Sequence, residues 1–134
     1  MNTVEIGGTP YEESCAQIGV TESAGELNRL ECRAYIAALR VVYGAEPPGA
    51  ELRIKSNVHD FGTYHEVVCR YDESDEVAAA YAEQVEQGLA TWAQAGFWTP
   101  VTYHQAQPVH VIRDPAAWVR ADNPQARPTL GPAP

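Results

Sequence analysis

The chain has 134 residues, 18 acidic against 9 basic side chains and a net charge of −9. One domain of this length buries a core without disulfides or structural metals. The charge argues against a duplex nucleic-acid binder, which needs clustered Lys and Arg, and against an anionic membrane surface. No apolar run reaches the roughly 18 residues of a membrane span, and Met1 to Glu5 lacks the pattern of a signal peptide.

Thr3 to Ile6 reads as a short strand ended by the turn cluster Gly7-Gly8-Thr9-Pro10. Tyr11 to Val20 fits either a second short strand or a loop. Ser23-Ala24-Gly25-Glu26 has the spacing of a capping box, opening a helix that runs to Tyr43 and is closed by Gly44. Leu27, Leu30, Ala34, Ala37, Ala38 and Val41 form one apolar stripe on this helix. Cys32, Ile36, Leu39 and Tyr43 form a second on nearly the opposite side. A helix apolar over so wide an arc needs cover on two sides, from the sheet and a neighbouring helix or from a second protomer; the second predicts a homodimer through this first helix, broken by Ile36→Glu or Leu39→Glu.

The next pair of segments is a β-hairpin over roughly residues 51–71. Leu52, Ile54 and Val58 alternate with Arg53, Lys55 and Asn57, and His59-Asp60-Phe61-Gly62 supplies the turn. Ser74 is the expected cap of a second helix over 74–95, with Gly96 near its end. Val101 to Tyr103 and Val109 to Ile112 are candidate closing strands, and Asp114-Pro115 starts a short helix through Trp118. Residues 1–121 thus form one α+β domain, and the proline-rich residues 122–134 form an extended or disordered tail.

The order strand, helix, strand, strand, helix, strand is that of a ferredoxin-like fold, a split βαβ antiparallel sheet with two helices on one face. Its open face is expected to carry Arg53, Lys55, Asn57, Tyr64, Glu66 and Arg70. Candidate binding residues are His59, Asp60, Tyr64, His65, Arg53 and Lys55, because turn residues on a rigid hairpin are exposed.

His59, Asp60, His65 and Cys69 are ligand types for zinc, but His65 and Cys69 lie about 13 Å apart along a strand, so no metal or other cofactor is expected. Asp60-Phe61-Gly62 matches the kinase magnesium tripeptide in letters only, without that fold's other motifs. Cys15, Cys32 and Cys69 read as small buried hydrophobes, and their odd number fits a reducing cytoplasm.

The runs Glu5 to Glu13, Glu31 to Ile36, Lys55 to Asn57, His59 to Gly62 and Val67 to Cys69 resemble a family of small hypothetical proteins carried by bacterial plasmids, integrative elements and prophages. The likeness covers residues 4–92 and implies an accessory gene of a mobile element. Two functional expectations follow. One is a non-catalytic protein-binding or inhibitor module with a protein partner. The alternative is a small-ligand or metal-dependent enzyme using His59, Asp60 and His65.

Overall fold

The computed structural model describes residues 3–7, 12–95, 110–113 and 129–132. The elements are β1 (Thr3–Gly7), α1 (Glu12–Ile18), α2 (Glu22–Tyr43), β2 (Ala50–His59), β3 (Gly62–Asp72), α3 (Glu76–Ala95), β4 (His110–Arg113) and β5 (Thr129–Pro132). The molecule is α+β, with a three-stranded antiparallel sheet in the order β1-β3-β2. β3 is antiparallel to both neighbours, so β1 and β2 run parallel to each other and are joined through α1 and α2.

Capping side chains account for the helix boundaries. Thr21, extended at φ −69°, accepts the Ala24 N–H at 3.2 Å and starts α2 at Glu22. The expected cap, Ser23, therefore sits inside the first turn, because Thr21 offers an equivalent hydroxyl two residues earlier. Gly44 ends the helix as expected, at φ 90° with its N–H on the Arg40 carbonyl. Asp75, rather than Ser74, caps α3, its carboxylate accepting the N–H groups of Val77 and Ala78. Ser74 donates to Asp72 instead. The segment read as strand or loop is largely helix: α1 occupies Glu12–Ile18 and closes with the Gly19 N–H on the Cys15 carbonyl.

One sheet face packs against α2 and α3. Leu52, Val67 and Cys69 meet Cys32, Tyr35, Ile36 and Leu39 of α2, and Tyr81, Val85 and Leu89 of α3. The inner stripe of α2 is therefore the Cys32, Ile36 and Leu39 set, extended by the buried Asn28, Glu31 and Tyr35. Leu30, Ala37 and Val41 of the other stripe face outward. Ile36 and Leu39 belong to the internal core, so a Glu at either tests folding rather than association.

The opposite sheet face was expected to be open. Arg53, Lys55 and Arg70 are exposed there, but Tyr64, Glu66 and Val68 are buried. At one end the cover is local, since Cys15, Val20 and Ala24 pack on Tyr64.

The expected closing strand near residues 109–112 forms as β4 but pairs with β5 in a separate two-stranded sheet. β5 falls within the segment read as tail. Val101 to Tyr103, Gly96 and the Asp114 to Trp118 helix lie outside the described residues.

Candidate functional site

The hairpin bends through Asp60 and Phe61, with His59 paired to Gly62. Gly62 has φ 124°, and a Cβ there would overlap the Val20 carbonyl oxygen, so the α1–α2 junction lies directly on the turn. The Val20 N–H donates to the Phe61 carbonyl at 2.7 Å. Two residues on, the Gly25 backbone comes close to the Thr63 carbonyl. Asn28, fully buried, accepts the His65 N–H at 2.5 Å. Where β1 stops opposite Val68, the start of α2 thus takes over the edge of β3.

The candidate side chains fall on different sides of this hairpin. His59 stacks between Phe61 and Tyr64, with ring centroids 4.6 and 5.7 Å away. Its Nε2 is 3.9 Å from a Glu12 oxygen. Tyr64 is buried rather than presented at the surface, and desolvation pushes its hydroxyl up to about 12, with Glu66 adding to the effect. Arg53 and Lys55 share this face, and Lys55 is 3.5 Å from Glu5. Asp60 is exposed at the tip.

His65 points the other way, because neighbouring residues of a strand alternate faces. Its Nδ1 is 2.9 Å from the Ser56 hydroxyl. Burial and, secondarily, Arg29 hold its pKa below the ordinary 6.5. A cleft of about 420 Å³ beside it is lined by Thr21, Gly25, Arg29 and Thr63, and by neither His59 nor Asp60. The three residues of the enzymatic alternative therefore do not converge. Among the described residues, no group of three or more His, Cys, Asp or Glu side chains is placed to hold a metal ion.

All three cysteines are buried. Desolvation raises Cys15 and Cys69 to about 11, and raises Cys32 well above its ordinary value. At neutral pH they are thiols, not thiolate nucleophiles.

The feature that sequence reasoning missed is the edge of β2. Asn28 takes the His65 N–H, so Ser56 and His65 form a non-hydrogen-bonded pair. The N–H and C=O of Ser56 then point out of the hairpin, as do those of Leu52, Ile54 and Val58 at two-residue spacing. Glu46 accepts the Leu52 N–H; its carboxylate is held below its ordinary range chiefly by the hydrogen bond from Arg40. From Ile54 to Val58 the edge faces no other strand among the described residues. No family model matches the chain, and no curated protein or solved structure matches it either.

Proposed function

We propose that this is a non-catalytic protein-binding module that adds an extended segment of a partner to β2. The observation that carries the reading is the edge Ile54–Val58 of a ten-residue strand, which faces no other strand among the described residues. Unpaired N–H and C=O groups in register are a template for another strand. Arg53 and Lys55 stand beside that edge on one face and His59 closes it at the tip, while Val58 is 77% exposed on the other face. These basic side chains favour a segment alternating acidic and apolar residues. The same reading takes the β1-β3-β2 sheet with α2 and α3 as ferredoxin-like, which the parallel sense of β1 and β2 supports. It takes the module as cytoplasmic, from its odd number of cysteines, and as an accessory protein of a bacterial mobile element, a setting that rests on the sequence resemblance.

The test is amide NMR of the full chain titrated with peptides alternating Val and Glu. The Ile54, Ser56 and Val58 amides are expected to exchange fast in the free protein and to become protected on binding. The double variant Arg53→Glu, Lys55→Glu is expected to lose the peptide and keep the fold. Perturbations confined to the Thr21–Arg29 cleft, or absent altogether, would refute the proposal.

A further inference from the structure

The outward side of the helical layer is apolar. On α2, Leu30 is 54% and Val41 is 72% exposed, with Ala34 and Ala37 between them at helical spacing. On α3, Val77 is 65% exposed and Ala80 is exposed beside it. The Tyr35 hydroxyl donates to the Gly88 carbonyl and the Tyr81 hydroxyl to the Gly44 carbonyl, so the two helices run antiparallel. The start of α3 is thereby held at the end of α2, and Val41 and Val77 stand at the same end of the layer. There an apolar cleft of about 420 Å³ opens between Ala45, Pro47, Val77, Ala80 and Tyr81.

Charge borders this surface in an ordered way. Going round α2 from buried Ala38, the helical wheel meets Ala34, Val41, Leu30 and Ala37, and then Glu26, Arg33, Arg40, Glu22 and Arg29, with both glutamates in the first two turns of the helix. Going round α3 from Gly88, it meets Val77, Gln84 and Ala80, and then Glu76, Glu83 and Glu86. α3 contains no basic residue. One long border of the apolar surface therefore carries arginines beyond two glutamates at the start of α2, and the other is anionic.

We propose that a second copy of the chain covers this face, related by a two-fold axis parallel to the helices, so that α2 of one protomer lies on α3 of its partner. This orientation sets the arginines of α2 against the acidic border of α3; laying α3 on α3 would oppose glutamate to glutamate. Arg33 is ten residues from the Tyr43 end of α2, and Glu86 is ten residues from the Glu76 end of α3. The axis preserves level along the helices, and the Tyr35–Gly88 and Gly44–Tyr81 contacts then put Arg33 within about one helical turn of the partner's Glu86, a contact that the symmetry repeats. Arg40 is already tied to Glu46 at 2.5 Å, which leaves Arg33 and Arg29 for the cross-contacts. The apolar residues between the borders supply the attraction, and the borders select the orientation.

Sedimentation velocity on the full chain across micromolar concentrations tests this. Wild type is expected to be a dimer, and Leu30→Asp a monomer with an unchanged far-ultraviolet circular dichroism spectrum. Arg33→Glu is expected to weaken the dimer about tenfold or more, and Glu86→Arg added to it to restore association. A wild-type monomer at high micromolar concentration would overturn the proposal, whether a segment of the same chain covers the face or nothing does. A dimer indifferent to Leu30→Asp would place the contact elsewhere and overturn it too. Loss of association by Arg33→Glu without rescue by Glu86→Arg would overturn the α2-on-α3 pairing.

Discussion

β2 and β3 are bonded to each other from Ala50–Tyr71 to His59–Gly62, yet they stand in different surroundings. Tyr64, Glu66, Val67, Val68 and Cys69 of β3 are all buried, so both faces of that strand are covered. On one edge it has β2, and on the other β1, followed by the Val20 backbone and the Asn28 side chain. In β2 only Leu52 is buried, and Val58 is 77% exposed. Both arms alternate apolar and polar residues. Their difference comes from position in the sheet, and it separates the arm covered on both faces from the arm whose outer edge faces no other strand among the described residues from Ile54 to Val58.

The strongest way to break that contrast is at the turn joining the arms. Gly62→Ala puts a side chain at positive φ against the Val20 carbonyl. Backbone strain of about 1–3 kcal/mol and overpacking of about 1–3 kcal/mol add there, for an expected loss of roughly 3 kcal/mol or more in chemical denaturation.

The comparison is sharpened by making one substitution in each arm. Val67→Ala is expected to cost roughly 2 kcal/mol, from two buried methyl groups at about 0.8 kcal/mol each and a cavity term. Val58→Ala is expected to stay within about 0.5 kcal/mol of wild type. Equal losses in urea titrations would show that β2 is covered as β3 is.

A smaller effect concerns His65, whose folded-state pKa lies below its ordinary 6.5. The unfolded chain binds the extra proton first, so this contribution to stability is present above pH 6.5 and is lost as pH falls from there through the folded-state value. His65→Gln is expected to flatten that part of the stability profile. A wild-type profile already flat across the window would remove burial as the influence on this ring.

The sequence carried the hairpin, its two-residue turn and the Gly44 stop, because turn chemistry and two-residue alternation are local signals. The buried side of α2 was harder to read. Its inner stripe holds Asn28 and Glu31 as well as Tyr35, and these polar side chains interrupt the apolar pattern, whereas the exposed stripe is purely aliphatic. A buried Asn satisfying a strand N–H from 37 positions away leaves no local mark. The covered face of β3 was missed for the same reason: Tyr64 and Glu66 alternate as surface residues do, and α1 was not recognised as a helix. Of the candidate site residues, His59 and Tyr64 come together, while His65 and Asp60 go their separate ways. The place of β2 at the edge of the described sheet follows from strand order, which residue pattern alone does not encode.

The Asn28–His65 hydrogen bond also bears on how fast the fold is made and lost. It closes a loop across 37 positions, whereas the hairpin turn closes across three, from His59 to Gly62. The long closure costs chain entropy that the turn does not, so the hairpin is expected to zip first and α2 to dock onto a strand already formed. In a chevron analysis, Asn28→Ala should leave the folding limb almost where it was and raise the unfolding rate. The side chain that replaces β1 beside β3 then acts as a latch on the finished molecule, governing its lifetime rather than its assembly.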